Sequence, residues 1–539
     1  MTKLRNISVV GMLLTLVFGI TNNIQCMHRR GNKAAYRRRG KTNKKRFPKK
    51  GRRKKVETRN RARKRQKLAG ETPSMNARLA SRRRAISPTM LAVEAPIDPL
   101  IVVEQKEQEF RPYQARRIDL AKKVRGKHPE VKNGLILLFA SFEEVNEPFR
   151  QDNAFYYFTG LEASGIVIAI NMEGFSTLLV PNCVENQKKW IGTAIEPGNR
   201  EDFEHFLLDS ITFLGKTVED IQVDPYFEIN SHENLLQIMG DTISQEGTLF
   251  VLYPKESTYQ HVNQRFVFDR LKKFLRDRRK DPTDIPYIDI SPIADSMRRV
   301  KDAIEIKKTK RAISITKIGH ARAAKAIRAG ATEHQIKAEL EYPFIAIGTS
   351  TAYPSIIAAG KNGPFLHHHG SSYKMKDGDV ILIDAAAKFD NYRADITRTY
   401  PVSGKFTSRQ RELYLLVLAT QRYIASIAKP GYFPMNRAQP DKCLTHLARA
   451  FLDSKHEGYG ARMTHGVGHY LGLDVHDVGS YKDPLEPGVV ITIEPGIYLP
   501  EEEIGIRIED NYVVTQEGVT CLSSEIPKEP DEIEAWMQS

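Results

Sequence analysis

The segment Val380-Ile-Leu-Ile-Asp384-Ala-Ala-Ala-Lys-Phe-Asp390-Asn-Tyr-Arg-Ala-Asp395-Ile-Thr-Arg-Thr-Tyr400 decides how the chain is read. Apolar, β-branched runs flank Asp390-Asn391, a pair suited to a tight turn, so the stretch predicts a β-hairpin. Asp384 ends the first run and Asp395 lies in the second, eleven residues away, where antiparallel partners can face each other across the ladder. Acids in strands this apolar need cations, because burying an isolated charge costs several kcal/mol or more.

Downstream the pattern repeats. Glu494 follows Ile491-Thr-Ile493, and Glu509 follows Ile506-Arg-Ile508. Between them and the hairpin lies His465-Gly-Val-Gly-His469-Tyr-Leu-Gly-Leu-Asp-Val-His476-Asp. His465 and His469 are four apart, but Gly466 and Gly468 argue against one helical face, so this is a loop or strand carrying imidazoles, unlike H-E-x-x-H. Four hard carboxylates, Asp384, Asp395, Glu494 and Glu509, plus the imidazole of His469 suit a pair of divalent ions of the Mn²⁺, Co²⁺, Fe²⁺ or Zn²⁺ type, about 3.5 to 4 Å apart. Taken singly, each acid is an ordinary turn or cap residue and each histidine an ordinary structural one. Their conjunction between His367 and Glu509 carries the reading.

Upstream of the hairpin, Asp302 and Glu305 form a capping-box pair opening a long helix that ends before Gly330, and Thr332 with Gln335 repeats the device. After it come a helix over 407–428, closed by Pro430-Gly431, and strand-like runs at 489–493, 504–508 and 512–514; the Ile-Glu-Pro-Gly segment at 493–496 reads as a turn. Further upstream, a helix over 116–125 and strands at 134–139, 166–170 and 176–180 describe an α/β unit. The resulting divisions are 1–27 signal-like, 28–94 basic and low in complexity, 95–279 an α/β domain, 280–301 a linker and 302–539 the metal-bearing domain.

Composition bounds the alternatives. A chain of 539 residues with 41% hydrophobic and 27% charged content is no disordered chain, collagen-like fibre or multi-span membrane protein. Its net charge of +17 is uneven, since 26 lysines and arginines face two acids over 29–84, while from Ala85 onward acids outnumber bases by nine. That basic segment lacks the large apolar residues needed to fold and reads as a disordered tail for non-specific contact with nucleic acid or anionic membrane. The apolar run at 7–20 is shorter than a bilayer span and is followed by no small-x-small cleavage pattern, leaving a cytoplasmic or an exported protein open. Four scattered cysteines offer neither a disulfide scaffold nor a thiolate metal site.

The segments Leu382-Ile-Asp-Ala385, Ala394-Asp-Ile-Thr-Arg-Thr399, His465-Gly-Val-Gly-His469, Leu473-Asp-Val-His-Asp-Val478, Ile493-Glu-Pro-Gly-Ile-Tyr498 and Gly505-Ile-Arg-Ile-Glu-Asp510 resemble the pita-bread metallopeptidases, and within them the Xaa-Pro aminopeptidase (aminopeptidase P) family. The resemblance runs from about Phe110 to Gln538, with Phe155-Tyr-Tyr-Phe-Thr-Gly160 similar to that family's N-terminal domain. It implies an α+β chain, a creatinase-like α/β domain before a pita-bread catalytic domain, usually oligomeric and loaded with two Mn²⁺. By analogy Asp384 binds one ion, His469 and Glu494 the other, and Asp395 and Glu509 bridge. His367 matches a histidine that contacts the scissile peptide, His476 a second substrate histidine, and Arg507 an arginine near the site that also reads as a charge partner for nearby acids. Ala386 and Ala394 stand where glycines are common in these motifs.

The function so implied is metal-assisted release of the residue preceding proline from a peptide's N-terminus, with Glu494 handling the proton. The rivals are prolidase, which cuts only Xaa-Pro dipeptides with the same ligands, and a non-catalytic pita-bread protein binding nucleic acid through its basic tail. Methionine aminopeptidase fits the long N-terminal domain poorly.

Overall fold

The computed structural model describes residues 99–538, apart from 144–147, 185–194, 196, 198, 200–203, 218–230, 253–261 and 278–284. The signal-like segment at 1–27 and the basic segment at 28–94 lie outside the described residues. No described helix is long and apolar enough to cross a membrane.

A helix α1 (Pro99–Lys127) precedes the first strands, β1 (Gly134–Phe139), β2 (Val167–Asn171) and β3 (Ser176–Val180), with the short helix α2 (Asn153–Thr159) between β1 and β2. Strand β4 (Ser210–Phe213), helix α3 (Glu233–Ser244), strand β5 (Thr248–Val251), helix α4 (Val262–Asp277) and strand β6 (Tyr287–Asp289) complete a six-stranded sheet of order β4-β3-β2-β1-β5-β6. Both faces are covered, which is why β1 reads Gly-Leu-Ile-Leu-Leu-Phe without polar alternation. Ile136 and Leu138 point into a core with Leu120 and Phe155, while Leu135, Leu137 and Phe139 point into another with Met239 and Leu271.

The presumed linker at 280–301 is structured over its second half. Strand β6 pairs in parallel with β5, and helix α5 (Ser291–Arg299) follows it, with Ile293 and Ala294 buried in the first domain's core. Short length and the polar approach Lys280-Asp281-Pro282 hid this edge strand.

The second domain opens with α6 (Ala303–Ala326) and α7 (Glu333–Ala346), each started by the expected capping box, Asp302 with Glu305 and Thr332 with Gln335. Strands β7 (Ile356–Ala359), β8 (Val380–Asp384), β9 (Lys388–Phe389), β10 (Tyr392–Arg393) and β11 (Thr397–Pro401) follow, and β8 is central in the sheet β11-β8-β7. Helices α8 (Ser408–Ile427), α9 (Leu444–Lys455) and α10 (Tyr459–Arg462) lead to β12 (Val490–Ile493), β13 (Gly496–Leu499), β14 (Ile504–Arg507), β15 (Asp510–Val514), β16 (Val519–Cys521) and the closing helix α11 (Pro530–Gln538). β12 and β16 flank β15, and β13 pairs with β14. β13 sits where the sequence suggested only a turn, a four-residue strand between Pro495 and Pro500.

The hairpin turn is tight, with Asp390 and Asn391 both at positive φ. Its register differs in one respect from the expectation. Asp384 is opposite Thr397, so Asp395, two residues earlier on the same face, is a diagonal rather than a direct neighbour. The strands stay bonded on either side of Asp395, Ala385 N to Ile396 O at 3.1 Å and Ala394 N to Ala387 O at 3.2 Å, but at that position the partners lie elsewhere: Ala386 O accepts from Ala352 N at 2.8 Å, while Asn511 accepts from the Asp395 amide at 3.1 Å and donates to its carbonyl at 2.5 Å. A bridge between Thr397 and Glu509 brings the β14–β15 junction against this hairpin.

Candidate metal centre

All five expected ligands and the three further expected site residues line one cavity of about 500 Å³. Asp384, at the end of β8, accepts from Arg507 Nη2 at 2.5 Å, and its other oxygen lies 2.6 Å from Tyr353 Oη. The same hydroxyl is 2.5 Å from Asp395 Oδ1, so its single proton serves one carboxylate at a time. Glu509 Oε2 accepts from Thr397 Oγ1 at 2.7 Å, whereas its buried Oε1 has no hydrogen-bond partner among the described residues.

His469 is carried by an extended segment lying along β12, where Thr492 N donates to His469 O at 3.0 Å and Glu494 N to Val467 O at 2.8 Å. The approach leaves no room at Gly468, where a Cβ would stand 2.0 Å from Thr492 O. His469 Nδ1 donates to Tyr470 O at 3.0 Å, which orients the ring so that Nε2 faces Asp395 Oδ2 (3.4 Å) and Glu494 Oε1 (3.5 Å).

Charge is badly unbalanced here. Burial raises the Asp395 pKa, with the Asp384 charge adding to it against the pull of His469. Burial and the neighbouring acids Asp395 and Glu494 push Glu509 well above the carboxylate range, and burial lifts Glu494 to about 7 despite His469 and Arg507. Burial alone would lower His469, but its contacts with Asp395 and Glu494 outweigh it and raise the imidazole to about 9. Four carboxylates face one guanidinium, that of Arg507, and ligand atoms of Asp395, His469 and Glu509 lie within 4.8 Å of one another. Oxygen-rich donors, one correctly oriented imidazole and the orphaned Glu509 Oε1 are what a hard divalent cation takes up.

The remaining residues sort by surroundings. His367 and His476 are exposed into the cavity, and the His476 ring stands against His469 at 4.3 Å between centroids. Arg507 is buried behind Asp384, also donating to Tyr498 Oη at 2.8 Å and to Thr397 Oγ1 at 3.2 Å. Since Tyr498 Oη accepts from Arg507, it donates its own proton to His465 Nε2 at 2.8 Å, and His465 Nδ1 donates to Gly466 O at 2.8 Å. Both nitrogens of His465 are thereby engaged, and burial with the Arg507 charge lowers it to about 4, keeping it neutral. Tyr353 escaped the sequence reading, and Thr397 and Tyr498 stood in the quoted motifs without a role, because a hydroxyl far in sequence from its partner leaves no local pattern. His369, beside His367, also lines the cavity.

The comparisons with known proteins agree with this geometry. The family model described as Metallopeptidase family M24 matches residues 307–516, and that described as Aminopeptidase P, N-terminal domain, matches 113–217. Xaa-Pro aminopeptidase of Escherichia coli is 32% identical over 435 residues, covering 74% of this chain and 93% of that protein. Intermediate cleaving peptidase 55 of Saccharomyces cerevisiae is 31% identical, covering 79% and 84%. A variant of E. coli aminopeptidase P solved in complex with substrate superposes with a TM-score of 0.64 at 29% identity, over 79% of this chain and 98% of that one. Fold and site define a metallopeptidase of the pita-bread class, with a creatinase-like domain before it. Within that class the chain belongs to the M24 metallopeptidases of the Xaa-Pro aminopeptidase (aminopeptidase P) type, and it is a hydrolase of that kind.

Proposed function

We propose that Asp384, Asp395, His469, Glu494 and Glu509 hold two divalent cations, Mn²⁺ being the expected metal, and that the cavity releases the N-terminal residue from peptides with proline second. The observation that carries this is that the buried Asp384, Asp395 and Glu509, the half-buried Glu494 and one oriented imidazole line one cavity, where Glu509 Oε1 has no hydrogen-bond partner among the described residues. Bound there, the cations supply Lewis acidity and lower the pKa of water toward neutrality.

The chain's own residues do the rest. Glu494, at the edge of the acid cluster, takes and returns the proton. His367 and His476 face the cavity and donate hydrogen bonds to the peptide carbonyl, where negative charge grows as the bond is attacked. Arg507, tied to Asp384, is a positioning charge that holds this carboxylate in one orientation. The excess of acids gives the cavity a negative floor for a free α-ammonium, which accounts for action at chain ends. Ile356, Leu366 and Val475 provide apolar wall for a pyrrolidine ring.

The test is metal analysis of the full chain together with hydrolysis of an Xaa-Pro tripeptide and an Xaa-Pro dipeptide. Two ions per chain and tripeptide cleavage are expected, as is an inactive Asp395→Ala variant. Less than one ion per chain with no cleavage on adding Mn²⁺ overturns the reading, and cleavage of the dipeptide alone turns it toward prolidase. Removal of the residues before Ala85 is expected to leave peptidase activity intact, and light scattering is expected to report a homo-oligomer.

A further inference from the structure

The segment that carries His476 is held from the other domain. Leu473 is buried in the core that contains Phe155 and Tyr156 of the first domain. Asp474 accepts from Arg150 Nη2 at 2.9 Å and from Asn153 Nδ2 at 2.6 Å. Asp477 accepts from Arg298 Nη2 at 2.8 Å and from Lys301 Nζ at 2.7 Å, and the Asp477 and Lys301 side chains are each 1% exposed. Arg298 belongs to α5, which is packed into the first domain and receives a hydrogen bond from Tyr157 Oη at the Met297 carbonyl. Only Val475 and His476, between these anchors, turn to the cavity.

Two further facts bear on what the anchors do. The Asp477–Lys301 pair presses on the segment's own backbone, for a Cβ at Gly472 would stand 2.1 Å from Asp477 Oδ2. Among the described residues the His476 ring makes no hydrogen bond, and its ring contact is with His469, so its position follows from the backbone one residue before Asp477. Buried ion pairs add little net stability, because desolvation offsets attraction; their better-attested use is to fix one register among several.

We propose that the N-terminal domain sets the position of His476, with Asp477 as the positioning residue acting through the buried Arg298–Lys301 pair. The catalytic cavity is then a product of both domains, although every candidate ligand comes from the second. The inference rests on the reading of His476 as a substrate-contacting histidine.

The test is a double-mutant cycle in the full-length, metal-loaded enzyme, measured as kcat and KM on an Xaa-Pro tripeptide beside the thermal midpoint. His476→Ala is expected to be slow. Asp477→Asn is expected to lower kcat about tenfold or more, the range of lost supporting contacts, with KM changed less than about threefold. The double variant is expected to be no slower than His476→Ala, because Asp477 acts only through that ring. A wild-type kcat in Asp477→Asn, or a double variant slowed by the product of the two single effects, overturns this inference alone. A wild-type rate in His476→Ala overturns the reading of that residue and this inference with it. Should Asp477→Asn fail to fold, Asp474→Asn, at the more exposed anchor, enters the same cycle with the same deciding outcomes.

Discussion

Glu509 and Asp510 are consecutive, equally buried and both acidic, yet the protein treats them in opposite ways. Asp510 accepts from Arg398 Nη2 at 2.8 Å, Lys528 Nζ at 2.7 Å, Ser523 Oγ at 2.7 Å and Gln421 Nε2 at 3.1 Å. Burial alone would raise its pKa, but Arg398 and Lys528 overcome that and hold it below the usual carboxylate range. Glu509 has one hydroxyl donor and one orphaned oxygen, and its pKa is driven up. For Asp510 the chain supplies the counter-charge; for Glu509, proposed above as a bridging ligand, no cationic side chain is within hydrogen-bond reach among the described residues. Glu509 bridges to Thr397 just before β15 begins, while Asp510 opens that strand, and successive side chains of extended backbone turn to opposite sides.

The contrast can be broken in several ways. Glu509→Gln, which keeps the shape and removes a ligand charge, is expected to cost on the order of 10⁴ in kcat/KM, or about 5 kcal/mol, while leaving the metal-free protein no less stable. Melting in chelator beside a tripeptide assay reads both, and a destabilised metal-free variant would erase the distinction between the two acids. Asp510→Asn is expected to do the reverse, losing about 3 to 5 kcal/mol of stability because Arg398 and Lys528 are left without their partner. Denaturant unfolding checks it, and the folded fraction should keep most of its turnover. Adding Mn²⁺ at about 100 times its dissociation constant should stabilise the wild type by about 2.7 kcal/mol for each ion bound and Glu509→Gln by much less, read by calorimetry.

The smallest effect concerns a histidine outside the acid cluster. His320 is fully buried, bonded to Ala385 O and Tyr400 Oη at 3.0 Å each, and burial lowers its pKa to about 4, with the Arg398 charge assisting. Its folded value lies below the unfolded one, so the unfolded chain binds the extra proton first as pH falls. Stability contributed by neutral His320 is therefore present above pH 6.5 and is lost progressively toward pH 4. Between pH 6.5 and pH 5 the loss is about 2 kcal/mol. Unfolding of the wild type against His320→Gln over that range isolates it; parallel curves would refute the assignment.

How much of this was legible in the sequence follows the range of each interaction. The capping boxes at Asp302 and Thr332 were readable because both partners lie within four residues. The strands β1 and β3 were readable because burial on both faces leaves an unbroken apolar run. The acids announced themselves by interrupting such runs at Asp384, Glu494 and Glu509. What stayed hidden is non-local: the backbone of Asp395 is bonded by the side chain of Asn511, more than a hundred residues away. Tyr353 is tied to its carboxylates by tertiary packing alone, and β6 gains its place only from pairing with β5.

The contact between Gly468 and the β12 backbone has a consequence for variation. Since the nearest atom is a backbone carbonyl oxygen of β12 rather than the tip of a movable side chain, no rotamer change can make space. A saturation library at codon 468, selected for peptidase activity, should return a single amino acid, while the neighbouring codon 467 tolerates isoleucine in place of valine. The spacing between this segment and β12 is thus written in one missing methyl group.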